Sequence, residues 1–156
     1  MGVGAVSIFW NALEIAWSSP KQSYFLIGGL IPSSDADSWL SGGWRLLEQG
    51  SISEGDQRRP LNAAIHALRL FVAGSFQGSL LLSALGSGLA TLFVAYVIKH
   101  SAGWIALGVF FICAFWLIRD HLPLAMTEVH GFIFGCFAFG CLWQASIARS
   151  KLLFTI

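Results

Sequence analysis

Ser79 to Ile98 reads SLLLSALGSGLATLFVAYVI, twenty residues without a charge. As a helix the run is about 30 Å long, the thickness of a bilayer's hydrocarbon core. Lys99-His100 punctuates it, and Ala102 to Ile118 follows with seventeen residues that include Trp104, Phe110, Phe111 and Trp116. The link is short, so the two runs are expected to form an antiparallel hairpin of spans. Arg119-Asp120-His121 closes the second run. Val129 to Ile147 makes a third, ended by Arg149 and Lys151, with Gly135 and Gly140 suited to close helix packing.

The composition agrees with that reading. Of 156 residues, 56% are hydrophobic and 11% charged, and the mean hydropathy is +0.70, outside the range of ordinary soluble domains. The expected fold is all-α, a multi-pass transmembrane bundle of about four spans forming one membrane domain over residues 1–156. A net charge of +1 with scattered cations excludes a nucleic-acid partner, which needs a concentrated basic surface. Cys113, Cys136 and Cys141 all fall in apolar runs and read as packing residues without disulfide or metal spacing. The glycines at 28, 29, 42, 43, 86 and 88 lack the spacing of a phosphate-cradling loop, and no hydrolase nucleophile motif occurs.

Residues 1–31 form the region of the first span. Val3 to Trp17 is apolar but short, carries Asn11 and Glu14, and precedes Pro20-Lys21 and a second apolar run, Tyr24 to Ile31. Two readings fit: a kinked span from Val3 toward Ile31, or an interfacial helix followed by a short insertion. One crossing is expected. The start lacks the basic flank and cleavage pattern of a signal peptide, so the segment is expected to be retained. Lys99, Arg149 and Lys151 mark one side as cytoplasmic, which puts the long polar loop 33–74 and the loop 119–127 on the extracytoplasmic side.

That loop has internal order. Trp39, Leu40, Trp44 and Leu47 share a helical face, and Gly50 stops the pattern, which predicts a helix over Ala36–Gln49. Pro60 opens a second helix, predicted over Pro60–Gly74, with Leu61, Ile65, Leu68 and Val72 on one side and Asn62, His66 and Arg69 on the other. Both helices are expected to rest on the membrane surface with apolar sides down.

Asp35-Ala36-Asp37-Ser38-Trp39 beyond the first span, a helix ending at Glu48-Gln49-Gly50, Arg58-Arg59-Pro60-Leu61 before a second surface helix, and Thr127-Glu128 opening the last span follow a recognisable order. In that order the chain resembles the N-terminal part of the GT-C class of membrane glycosyltransferases, which includes protein mannosyltransferases and lipid A aminoarabinose transferases. The resemblance implies transfer of a sugar from a polyprenyl-phosphate-linked donor to an acceptor at the extracytoplasmic face. Asp35 or Asp37 would be the catalytic acid, acting as general base or helping to hold a divalent cation such as Mg or Mn. Glu128 would be a further catalytic residue. Arg58 and Arg59, with His66, would bind the donor phosphate, the guanidinium through paired hydrogen bonds. Family members continue through more spans, so the resemblance also implies a missing C-terminal part or a partner subunit.

Each residue also has a structural reading. Ser34-x-x-Asp37 fits a capping box. On a regular helix Asp35 and Asp37 point to nearly opposite sides and share an ion only if the backbone there is not helical. Arg58 and Arg59 suit lipid headgroups. His66 beside Arg69 marks a solvent face, and His130 reads as hydrogen-bonded packing. The alternative function is therefore a small non-enzymatic membrane protein whose loop binds lipid headgroups or a partner subunit. A carrier is disfavoured, because apart from Glu14 and Glu128 the spans carry almost no polar lining.

Overall fold

The computed structural model describes residues 2–18, 26–27, 31–32, 35–52, 56–124 and 126–153. It is helical apart from a two-residue antiparallel pairing of β1 (Leu26–Ile27) with β2 (Ile31–Pro32). The helices are α1 (Gly2–Ser18), α2 (Asp35–Gln49), α3 (Pro60–Ala73), α4 (Phe76–Ile118) and α5 (Thr127–Leu153), with single 3₁₀ turns at Asp56–Arg58 and Leu122–Leu124. α1 is described to Ser18, and because residues 26–27 and 31–32 are strand, the expected kinked span is not helical through to Ile31. The expected Pro20-Lys21 break and the Ser34 cap lie outside the described residues.

Two helices, α4 and α5, are long and apolar enough to cross a membrane. α4 is not one rod. Gly103 has φ 82° and ψ −172°, a conformation open almost only to glycine, and it breaks the helix into arms over 76–102 and 104–118. A straight helix would hold Leu80 and Ile118 about 57 Å apart, yet both lie in one buried cluster with Phe9, Leu13, Leu122 and Val129. The expected hairpin therefore forms. Its turn falls at Gly103, beyond Lys99-His100, because the backbone reversal needs the glycine and not the charges. Lys99 folds its ammonium over the Trp104 ring, 4.5 Å from the centroid, and Trp143 Nε1 of α5 donates to Ser101 Oγ at 2.9 Å.

Ala90, Val94 and Cys136 continue the core between α4 and α5, joined by Phe93, Phe110 and Phe132. The outer surfaces of these helices are apolar and open: Ile105 is 87% exposed, Ile112 71% and Leu142 72%. Cys113 and Cys141 also face outward, so only Cys136 acts as the expected packing thiol. A water-soluble bundle would bury such side chains; turning them out suits a hydrocarbon surrounding. In α1, Trp10 Nε1 donates to the exposed Glu14 carboxylate at 2.8 Å.

α2 and α3 begin and end close to where composition predicts. Pro60 takes the first helical turn of α3, where its missing N–H costs nothing. Gly74 ends α3 in the left-handed conformation, its N–H donating to Leu70 O at 2.8 Å, and Ser75 Oγ accepts from Gly78 N to cap α4. Three contacts fix how α2 lies on α3. The Arg59 guanidinium sits 5.0 Å from the Trp39 ring centroid. A Cβ on Gly43 would meet His66 Cβ at 2.6 Å. Trp44, Leu47 and Glu48 line a hollow with Leu70, Phe71 and Gly74. Positions rise together along both helices, so α2 and α3 run parallel with their N-termini at the same end.

α3 is turned opposite to expectation. Asn62, His66 and Arg69 are buried, while Leu61 is 66% exposed, Leu68 62%, Phe71 75% and Val72 63%. The polar side faces the bundle and the apolar side faces out.

Candidate functional site

The buried side of α3 builds a polar cluster with α4 and α5. Arg69 reaches across and donates through Nη1 to Ser83 Oγ and, at 2.8 Å, to His130 Nε2; through Nη2 it donates to His66 Nδ1 at 3.0 Å. His130 Nδ1 donates to Asn62 Oδ1 at 2.9 Å, which fixes the tautomer: the proton is on Nδ1, leaving Nε2 free to accept. Ser83 Oγ passes its own proton to Ser79 O at 3.1 Å. The rings of His66 and His130 meet edge to face, 5.0 Å between centroids.

Donor and acceptor roles are thus consistent throughout, and both histidines serve Arg69 as neutral acceptors. Burial lowers the Arg69 pKa to about 10, so the guanidinium is still charged at neutral pH. Among the described residues, the one ion pair is Arg119 with Asp120 at the surface, so no carboxylate answers the Arg69 charge. Its Nε is buried without a hydrogen-bond partner. A buried cation held only by neutral acceptors is costly to assemble, and each of these charged hydrogen bonds offsets about 1.5–3 kcal/mol.

Other expected site residues lie at the surface. Asp35 and Asp37 are exposed in the first turn of α2. Because the helix already includes both, their side chains are turned roughly 200° apart about the axis. They therefore do not fit joint chelation of a divalent cation, and among the described residues no three His, Cys, Asp or Glu side chains group as a metal site. Asp37 lines a hollow of about 300 Å³ with Leu40, Ser41, Trp44, Arg45, Leu70 and Phe76. Arg58 and Arg59 are exposed, and Arg59 is stacked on Trp39. Glu128 is exposed at the start of α5, with Thr127 Oγ1 donating to it at 3.3 Å.

His66 is different. It is fully buried against Arg69, so a phosphate reaching Arg58 and Arg59 from outside does not reach His66 without opening that packing. The solvent-face reading of His66 and Arg69 is overturned, because both meet partners from other helices. His130 is hydrogen-bonded packing, as its position suggested.

Two contacts link the helices that carry the expected residues. Arg59 over Trp39 links the start of α3 to the first half of α2, and the Asn62–His130 bond ties the start of α3 to the start of α5. Asp35, Asp37, Arg58, Arg59 and Glu128 all belong to those three helix starts. Sequence places Asn62 and Arg69 on the polar side of α3 without assigning them to a site, and Ser83 has no sequence signal of its own. The available signal was the polar face of α3 itself, which carries histidine, asparagine and arginine but none of the acids or lysines of a water-facing side. Comparison with protein-family models, with curated proteins and with solved structures finds no match to this chain.

Proposed function

We propose that the chain is a membrane glycosyltransferase, whole or in part, that moves a sugar from a polyprenyl-phosphate-linked donor to an acceptor hydroxyl at the extracytoplasmic face. What supports this reading is that contacts link three helix starts, Arg59 over Trp39 joining α3 to α2 and His130 to Asn62 joining α5 to α3, and that these starts carry two aspartates, two arginines and a glutamate. The chemistry needs those groups together. A carboxylate, Asp35 or Asp37, takes the acceptor proton as its oxygen bonds to the anomeric carbon, and the bond from that carbon to the lipid phosphate breaks. Arg59 is suited to pair with the departing phosphate. Glu128 is the second acid at that end. No step is assigned to a divalent cation. In this reading α1, the two arms of α4 and α5 make four crossings, and α2 and α3 lie on the outer face, polar side inward and apolar side in lipid.

The test is a transfer assay with radiolabelled polyprenyl-phosphate sugar in proteoliposomes, alone and with a complementing partner subunit. Asp35→Asn, Asp37→Asn and Glu128→Gln are compared with a folding control. Loss of most turnover in one aspartate variant supports the reading; full activity in all three refutes the catalytic assignment.

One observation favours a second reading. The open apolar face of α3, with Leu61, Leu68, Phe71 and Val72, suits a non-enzymatic membrane protein whose loop holds lipid or a partner subunit. Retained lipid binding with no transfer under any condition would select it.

A further inference from the structure

We propose that Arg69 and His130 are positioning residues, a buried latch that holds the starts of α3 and α5 in register so that Arg59 and Glu128 face one substrate; this rests on the glycosyltransferase reading. Arg69 is the hub. From α3 it donates to Ser83 on α4 and to His130 on α5, while His66 braces it from its own helix. His130 then returns the connection to α3 through Asn62, three residues after Arg59, and lies two residues after Glu128. The loop of contacts from Asn62 through His130 and Arg69 back along α3 is closed. A closed loop constrains both distance and rotation where a single bond leaves rotation free, and side chains held this way lose little freedom at the moment of reaction.

Packing alone does not account for the cluster. Apolar residues of similar size at these positions would bury the same area without stranding a guanidinium among neutral acceptors, and such replacements are commonly neutral or stabilising. What the polar network adds is direction: each bond has one donor and one acceptor, so a single arrangement of the two helix starts satisfies it.

The experiment uses the full chain in proteoliposomes, with Cys113, Cys136 and Cys141 replaced by alanine and nitroxides at Ala64 and Gly131. Both labelling sites are exposed, and the glycine has open space around it. Electron spin resonance gives the α3–α5 distance distribution, and the sugar-transfer assay gives kcat and KM. Arg69→Ala and His130→Ala are expected to broaden the distribution and lower kcat on the order of ten- to a hundred-fold. His130→Gln, whose amide can donate to Asn62 and accept from Arg69, is expected to restore both. An unchanged distribution in Arg69→Ala overturns the latch, as does a broadened one with unchanged kcat, or a His130→Gln variant no better than His130→Ala. Absence of transfer by the unsubstituted chain with its partner would instead sink the glycosyltransferase reading and the positioning role with it, leaving the distances to report whether the network still joins the helices.

Discussion

Arg69 Nη1 lies 2.8 Å from His130 Nε2, joining residues 61 positions apart and two helices that share no turn. The contact is buried on both sides, so its loss is not made good by solvent. Arg69→Ala leaves His130, His66 and Ser83 without their common donor, and it should lower stability by about 3 kcal/mol. A double-mutant cycle with His130→Ala, read by thermal unfolding in detergent, should give a coupling of about 1–3 kcal/mol. Simple additivity of the two changes would show that the bond contributes nothing in the folded protein.

Gly43→Ala should separate α2 from α3. The added Cβ would stand 2.6 Å from His66 Cβ and 3.0 Å from the Ala67 backbone nitrogen, and neither belongs to the flexible end of a side chain. The expected cost is about 1–3 kcal/mol, with weaker stacking of Arg59 on Trp39. Proteolysis within residues 50–59 offers a sensitive measurement, and unchanged cleavage would contradict the close parallel packing.

At Gly103 the cause is different. Nothing lies within 4 Å of an added Cβ, so Gly103→Ala meets no steric neighbour, but φ 82° strains any L side chain. A loss of about 1–3 kcal/mol from backbone strain alone is expected. Gly108→Ala, also in open space but within the helical arm, should be neutral or slightly stabilising. Equal effects at the two sites would remove the argument for a backbone turn at Gly103.

Membrane sidedness can be read by cysteine labelling. Single cysteines at Gln57 and Asp120 should react with an impermeant thiol reagent from one compartment, and one at Lys99 only from the other. Opposite labelling of Gln57 and Asp120 would exclude the proposed topology.

Hydropathy made the long helices legible, since Ser79–Ile98, Ala102–Ile118 and Val129–Ile147 all fall inside α4 and α5. Local chemistry marked the ends of the short ones: Pro60 cannot sit deep in a helix, and Gly50 and Gly74 take the left-handed angles that stop one. What periodicity cannot say is which face of α3 is outermost. An amphipathic pattern shows that two sides differ, but the side that turns inward depends on whether the surroundings are water or hydrocarbon. His66 and Arg69 were therefore read as solvated when they are interior. The turn at Gly103 was hidden for a related reason, because charges at Lys99 and His100 indicate an end to burial without indicating where φ changes sign. Among the candidate site residues, the shared end of α2, α3 and α5 became visible only through contacts distant in sequence, Arg59 with Trp39 and Asn62 with His130.

The wide sequence separation between Arg69 and His130 also bears on how the chain is made. A ribosome adding about 5–20 residues per second delivers His130 roughly 3–12 s after Arg69. During that interval the guanidinium has only acceptors from its own helix and from α4, and one of its three acceptors is still unsynthesised. α5 is thus the helix that completes the guanidinium's set of acceptors, and in a nascent chain halted before it the cation is held by one helix pair alone.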